Sequence, residues 1–122
     1  MIHLIGHLSG TVIETVQDLE DKMDAVVRDC DLTVVARAFY QFRPVGATGV
    51  LVLSESHFSA HTYPEHGLVY VDVFCCSPSF DPEVCAASLE RRFGGALKYQ
   101  KINRALEYWK GLVSPSKRVL HS

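Results

Sequence analysis

Hydroxyl, imidazole and carboxyl side chains are concentrated between positions 53 and 67, in the stretch LSESHFSAHTYPEHG, and two adjacent thiols, Cys75 and Cys76, follow shortly after. Side chains of these types act as nucleophiles, general bases and metal ligands. Each residue taken alone is also typical of a polar strand end with surface histidines and core cysteines. The pattern as a whole therefore has to decide whether this stretch performs chemistry.

A serine hydrolase is one interpretation, with Ser56 as the nucleophile and His57 or His61 as its base. Many such enzymes carry a G-x-S-x-G sequence at a strand-to-helix turn. The sequence around Ser56 has neither that motif nor the pattern of such a turn. This disfavours a hydrolase.

A metal site is a second interpretation. Its candidate ligands are His57, His61, His66, Cys75 and Cys76. Two histidines four positions apart share one face of a helix, yet the following Thr-Tyr-Pro sequence argues against a helix here. On a strand the same two histidines would lie about 13 Å apart, too far for one ion without a turn. The sequence therefore predicts no metal.

Charge and composition exclude several classes of partner. The formal net charge is −2 and the basic residues are scattered, so no basic stripe could neutralise nucleic-acid phosphates. No apolar run approaches the roughly 20 residues that cross a bilayer, and the start of the sequence lacks the pattern of a signal peptide. We expect neither a nucleic-acid nor a membrane partner.

The four cysteines lie at positions 30, 75, 76 and 85. Their spacing suits neither a disulfide framework nor a CxxC metal pair. Reduced thiols indicate a cytoplasmic protein. A reduced thiol could also donate a proton, which a cystine cannot.

The elements that must position these residues can be read from periodicity, within one domain covering residues 1–122. The predicted strands are Ile2 to Ile13, Leu32 to Phe42, Val50 to Leu53, Leu68 to Phe74 and Leu97 to Ile102. The predicted helices are Val16 to Arg28, a helix with Asp81 as N-cap that ends at Gly94, and Arg104 to Leu112. The buried face of the second helix is predicted to be Val84, Cys85, Ser88, Leu89 and Phe93.

This order predicts an α+β fold, a two-layer sandwich in which two helices cover one face of a mainly antiparallel sheet. So few helices leave the other face of the sheet without cover. We therefore expect a homodimer that brings further surface to that face.

The pattern S-E-S-H-x-x-x-H-T-[aromatic]-P-E, with D-x-F-x-C further on, resembles the short prokaryotic S-adenosylmethionine decarboxylases. The resemblance extends from about Phe39 to Phe93. It implies that Ser56 attacks the carbonyl of Glu55 to give an ester, and that elimination and hydrolysis turn Ser56 into a pyruvoyl group. The products would be a β chain, residues 1–55, and an α chain, residues 56–122.

The resemblance also assigns roles to the matched residues. His61 would abstract the α-proton of the ester, a role that suits imidazole near neutral pH, and Thr48 would help to polarise the carbonyl under attack. The pyruvoyl ketone would accept the electrons that decarboxylation releases, so that no metal or pyridoxal phosphate is needed. Cys76 would then return a proton to the substrate α-carbon.

Three residues match substrate-binding positions of the family. Phe42 would pack on the adenine or the sulfonium, although it could equally be an aromatic residue of the core. Tyr63 would line the same pocket, and Glu65 would bind the ribose hydroxyls. The implied reaction converts S-adenosylmethionine to its decarboxylated form and CO2 for spermidine synthesis.

The sequence departs from the family near its start. Gly6 directly precedes His7, Thr11 stands where an acid is common, and a following cysteine is missing. Because acids help to bind a cationic substrate, a pyruvoyl-dependent arginine or ornithine decarboxylase is the alternative. A relative that only binds and regulates a partner subunit is a third possibility.

Overall fold

A computed structural model describes residues 1–104. Its strands are β1 (Ile2–Ser9), β2 (Val34–Gln41), β3 (Ala47–Leu53), β4 (Ser56–Tyr63), β5 (Leu68–Cys75) and β6 (Ala96–Asn103), and its helices are α1 (Val16–Asp29) and α2 (Pro82–Phe93). A short 3₁₀ turn, Pro64–His66, joins β4 to β5. Apart from Arg104 itself, the predicted helix Arg104 to Leu112 lies outside the described residues.

The six strands form one antiparallel sheet in the order β2-β3-β4-β5-β1-β6. Alternate residues of the strands pack with both helices in a single apolar cluster, so the helices cover the same face. Its largest fully buried members include Leu4, Leu51, Phe58, Leu19 and Leu89. The predicted α+β class with two helices on one face is confirmed.

Both helices begin after a side chain that caps the first turn, and Asp81 is the cap predicted for α2. The Thr15 hydroxyl accepts a hydrogen bond from the Asp18 amide at 3.1 Å, and the Asp81 carboxylate accepts from the amides of Glu83 and Val84. Gly94 ends α2 with a φ of 81°, which favours glycine. One face assignment was wrong, because Val84 is 48% exposed.

β4 was missed by the sequence analysis, which predicted five strands rather than six. Its core-facing residues, Phe58, Ala60 and Thr62, are buried, and polar or aromatic residues alternate with them. The alternation of two is that of a strand with one uncovered face. The two largest differences in boundaries are that β1 ends at Ser9 rather than Ile13 and that β3 begins at Ala47 rather than Val50.

The face of the sheet opposite the helices, which we call the open face, is not covered by any element within residues 1–104. It carries apolar and ionisable side chains together. The apolar ones include Ile5, Val52 and Tyr70, which are 42%, 43% and 48% exposed. Neither helix of the described region has the length and apolar character needed to span a bilayer.

Candidate active site

The hairpin between β3 and β4 presents the predicted cleavage point. Leu53 pairs with Ser56, which leaves Ser54 and Glu55 as the turn. The Ser54 amide donates a hydrogen bond to the Thr33 carbonyl at 3.0 Å, just before β2, and the Glu55 carboxylate accepts from the Thr33 amide at 3.2 Å. Ser56 has a φ of 150°, a conformation that costs an L-residue roughly 1–3 kcal/mol. The peptide between Glu55 and Ser56 is therefore anchored on one side and strained on the other.

The carbonyl oxygen of Glu55 accepts two hydrogen bonds from one residue. The backbone amide of Cys76 donates to it at 3.0 Å, and the Cys76 thiol donates to it at 3.0 Å. Two donors at this distance would stabilise negative charge on the oxygen if the carbonyl carbon were attacked. The arrangement is that of an oxyanion hole around the predicted scissile carbonyl.

The two adjacent cysteines differ in environment. Cys75 is the last residue of β5 and points into the core, where burial raises the pKa of its thiol. Cys76 follows the strand and is exposed. Of the two thiols, the one that the sequence analysis chose, Cys76, is therefore the one that contacts the Glu55 carbonyl.

His61 lies directly across from Thr48 on the neighbouring strand. The Thr48 hydroxyl is hydrogen-bonded to His61 Nδ1, so it does not reach the Glu55 carbonyl, for which it was the predicted donor. Five positions of β4 separate His61 from Ser56, a distance of about 17 Å along a strand. Ser56, Glu55 and Cys76 thus form one cluster, and Thr48 and His61 belong to a second.

The predicted substrate-binding residues join the second cluster. Phe42, Tyr63 and Glu65 line one cavity of about 280 Å³ together with His61. The ring of His61 lies 5.4 Å from that of Phe42 and 4.8 Å from that of Tyr63, between centroids. Phe42 is 38% exposed, so the alternative of a core aromatic is wrong.

A larger cavity of about 540 Å³ adjoins this one and shares His61 and Tyr63 with it. Its other lining residues are His66, Leu68 and Tyr70. Tyr70 makes an edge-to-face contact with Tyr63 at 5.7 Å between centroids. Sequence reasoning missed Tyr70, although its alternation with buried valines in β5 would have placed it on the open face.

Sequence reasoning also missed a hydrogen-bonded group next to Ser56, centred on Asp72. His57 Nε2 lies 3.1 Å from Asp72 Oδ2 and His3 Nε2 lies 2.9 Å from the same oxygen. The Ser59 hydroxyl donates to the other carboxylate oxygen. Although burial raises the pKa of Asp72, the hydrogen bonds from Ser59, His3 and His57 together lower it below its usual value. The Asp72 carboxylate is therefore held in its ionised form.

His3, His57 and Asp72 are also the three possible metal ligands that converge within the described region, with ligand atoms within 4.8 Å of one another. The Arg104 guanidinium lies 3.2 Å from His3 Nδ1, and because it can only donate, His3 must carry its proton on Nε2. That proton points to Asp72. The group is thus a hydrogen-bonded cluster with a cation beside it, and the absence of a metal stays a prediction.

Two departures from the family pattern have structural causes. Thr11 is 7% exposed and its hydroxyl donates to the Phe93 carbonyl at 2.7 Å, so it does not face either cavity. Gly6 lies so close to β6 that a Cβ would stand 2.4 Å from the Lys98 carbonyl oxygen. Neither departure removes a charge from the candidate site.

Comparisons with known proteins identify the family. The family described as S-adenosylmethionine decarboxylase matches residues 2–105. The S-adenosylmethionine decarboxylase proenzyme of Symbiobacterium thermophilum is 40% identical over 106 residues, which are 84% of this chain and 80% of the relative. The proenzyme of the same name from Aquifex aeolicus is 44% identical over 78 residues, 62% of this chain and 58% of the relative.

A solved structure gives the same result at the level of the fold. The crystal structure of the adenosylmethionine decarboxylase from Aquifex aeolicus superimposes with a TM-score of 0.77 and 34% identity, covering 86% of this chain and 90% of that one. Both the family match and the relative from Symbiobacterium thermophilum span most of the sequence. The chain therefore belongs to the S-adenosylmethionine decarboxylase family.

Proposed function

We propose that the chain is a proenzyme that cleaves itself between Glu55 and Ser56 and then decarboxylates S-adenosylmethionine. The observation that carries the proposal is the pair of hydrogen bonds from Cys76 to the Glu55 carbonyl oxygen. They are placed where negative charge develops when the Ser56 hydroxyl attacks that carbonyl. The relatives whose names describe proenzymes of this activity support the same reading.

Self-cleavage in this proposal proceeds on the residues of the chain. Ser56 Oγ attacks the carbonyl carbon of Glu55, and the peptide becomes an ester while the Cys76 amide and thiol hold the oxyanion. Loss of the Ser56 α-proton to His61 expels the Glu55 carboxylate and leaves a dehydroalanine at position 56. Its imine tautomer adds water and loses ammonia, which leaves a pyruvoyl group at the start of residues 56–122. Residues 1–55 remain as the β chain.

The residues around Ser56 fit a pyruvoyl group at that position. The pyruvoyl ketone supplies an electron sink for decarboxylation. Once Glu55 has become a free chain end, the Cys76 thiol no longer has a peptide carbonyl as its partner and can protonate the substrate α-carbon. This step needs a free thiol, and all four cysteines are free, which supports a cytoplasmic location.

The aromatic cavity around His61 supports the choice of substrate. Phe42 and Tyr63 offer faces to an adenine and to a sulfonium cation, and a desolvated cation over a ring gains up to about 2 kcal/mol. Glu65 lies in the same cavity and can accept hydrogen bonds from ribose hydroxyls. Arginine and ornithine have no flat ring, so they would leave these aromatic faces unused.

We further propose that the active unit is a homodimer joined through the open face. Within one chain about 17 Å of strand separates Ser56 from His61, too far for a proton transfer. A two-fold contact between open faces can bring His61 of the partner subunit to Ser56, because such an interface places the same patch of both subunits in opposition. The exposed apolar residues of that face support this contact.

Mass analysis tests self-cleavage. The purified chain should separate under denaturing conditions into residues 1–55 and 56–122, the latter starting with a pyruvoyl group, whereas Ser56→Ala should stay whole. An active protein that remains a single chain with serine at position 56 would refute the proposal.

Release of CO2 from labelled amino acids tests the substrate. We expect release from S-adenosylmethionine and none above background from arginine or ornithine. Cleaved protein that acts on arginine or ornithine alone would reject the substrate while leaving the self-cleavage intact.

Complementation tests the shared site. Ser56→Ala and His61→Ala chains with different tags should each stay without a pyruvoyl group as homodimers. In a doubly purified hybrid, the His61→Ala chain should be converted, because the Ser56→Ala chain supplies the missing imidazole. If no chain of the hybrid is converted, then Ser56 and His61 act within one subunit.

A further inference from the structure

We propose that His57 is the base that takes the proton from the Ser56 hydroxyl in the first step of self-cleavage, and that Asp72 positions it. This inference rests on the proposed self-cleavage and adds a group to it. His61 is assigned to the later loss of the α-proton, which leaves the first proton transfer without a base.

His57 is the imidazole that lies beside the nucleophile. Its Nδ1 is 3.5 Å from Ser56 Oγ, whereas His61 lies five positions along the strand and has its Nδ1 bonded to Thr48. A separation of 3.5 Å is longer than a good hydrogen bond, but catalytic contacts in resting structures are often long and shorten when the reaction proceeds.

The hydrogen bond to Asp72 fixes which nitrogen of His57 is free. An ionised carboxylate can only accept, so the 3.1 Å contact between His57 Nε2 and Asp72 Oδ2 requires the proton to be on Nε2. Nδ1 then carries a lone pair directed at the Ser56 hydroxyl. A carboxylate that holds a histidine in the tautomer needed for a serine is the logic of the serine-protease triad.

The carboxylate is itself held from two other sides. The Ser59 hydroxyl binds one oxygen, and His3 binds the other while Arg104 fixes the ring of His3 from behind. These partners come from β1, from β4 and from the residue after β6. Asp72 is therefore rigid, and it can keep His57 in one orientation throughout the reaction.

The proposed step is balanced in atoms and electrons. The proton moves from Ser56 Oγ to His57 Nδ1 as a bond forms between Oγ and the Glu55 carbonyl carbon. The resulting oxyanion is held by the amide and thiol of Cys76. The carbon–nitrogen bond then breaks, and His57 returns the proton to the departing nitrogen of Ser56, which leaves an ester and a free amino group.

The rate of cleavage in freshly translated protein is the first test. His57→Ala should slow conversion by about 100-fold or more, the usual contribution of a general base, and free imidazole should restore part of the rate. His7→Gln, a histidine on β1 at the other end of the open face, is the matched control and should cleave like the unaltered chain. If the His57→Ala variant cleaves slowly and imidazole does not accelerate it, then His57 has only a structural role and the proposal is overturned.

Trapping of the ester is the second test. The His61→Ala chain should stop at the ester, which hydroxylamine cleaves between residues 55 and 56. Adding His57→Gln, which retains a polar side chain of similar size, should abolish that hydroxylamine-sensitive bond. An equal yield of ester with and without His57 would overturn the role of His57, whereas unaltered protein that never cleaves would instead refute the proposed function.

Asp72→Asn tests the positioning role. It should slow cleavage less than His57→Ala, and imidazole should not accelerate it because the ring is still present in its place. Cleavage at the unaltered rate would remove Asp72 from the proposal.

Discussion

Cys76 contributes two separate donors to one oxygen, and its thiol can be removed while its amide is kept. Its amide belongs to the backbone and survives any substitution, whereas its thiol is lost in alanine. The thiol also has the later role of protonating the product. Self-cleavage and decarboxylation should therefore respond differently when only the side chain is changed.

We expect Cys76→Ala to cleave completely but more slowly, by up to about 100-fold, the lower range for loss of one oxyanion donor. Decarboxylation should fall further, because no side chain remains to return the proton. Cys76→Ser keeps a hydroxyl donor and should cleave faster than the alanine variant. Time-resolved mass analysis and CO2 release measure the two steps, and full activity of the alanine variant would contradict both roles.

Phe42 should affect substrate affinity rather than folding, since its ring lies in the cavity with His61 and is only partly covered. Phe42→Ala should raise KM for S-adenosylmethionine by roughly 10-fold, in keeping with the loss of one ring contact, and should leave the melting temperature within a few degrees. Val35→Ala, a change at another exposed position of the sheet, is the control. An unchanged KM would exclude Phe42 from the binding site.

For single residues, the sequence predicted those that lie within the motifs between Ser54 and Cys76. It missed those that are distant in sequence and that the sheet places beside the motif. Ser56, His61 and Cys76 were identified through the resemblance of the surrounding motifs to the family. His3 is 69 residues from Asp72 and 101 from Arg104, so their contact depends on β1 lying between β5 and β6. No local pattern carries that information.

β4 shows why a polar strand is difficult to predict from the periodicity of apolar residues. Its inward residues are small or aromatic, and its outward ones are histidine, serine and tyrosine, which looks like a loop when the apolar residues alone are followed. The other five strands and both helices have clear apolar patterns, and they were predicted.

The contact between the two helices depends on one carboxylate. Asp29 ends α1, where the helix dipole disfavours a negative charge. Arg92 and Ser88 of α2 bind it, at 2.8 Å and 2.7 Å, and Arg91 binds it at 3.0 Å. The hydrogen bond from Arg92, followed by that from Ser88, lowers the pKa of Asp29 far below its usual value.

Asp29→Asn should therefore destabilise the protein at pH 7. Because the pKa of Asp29 is lower in the folded state than in the unfolded chain, its carboxylate stabilises the folded protein at pH values above the unfolded pKa of about 3.8. This stabilisation is lost as the pH falls from there towards the folded pKa. The difference in melting temperature between the unaltered chain and Asp29→Asn should thus shrink between pH 5 and pH 2. Asp31→Asn is the control, and a difference that does not depend on pH would show that Asp29 acts through packing alone.

The whole molecule has one face that its own described elements leave uncovered. Six strands spaced about 4.8 Å apart and seven or eight residues long give a face of roughly 29 Å by 27 Å. That is close to the roughly 800 Å² per partner of a standard protein interface. His57, Asp72, His61 and Tyr63 lie on this face, and Ser56 adjoins it with its Oγ 3.5 Å from His57 Nδ1. An interface there would therefore cover these side chains and exclude water from them.

A charge placed on the open face should separate the subunits. Val52 is 43% exposed on β3, and Val52→Lys would bury two like charges in a two-fold interface without a partner for either, which costs several kcal/mol. We expect a folded monomer in sedimentation experiments at concentrations where the unaltered chain is a dimer. Val84→Lys, a similarly exposed position on α2, should remain dimeric. If the unaltered chain sediments as an active monomer, or if Val84→Lys rather than Val52→Lys dissociates it, the open face is not the interface, and Ser56 and His61 must meet by a different route.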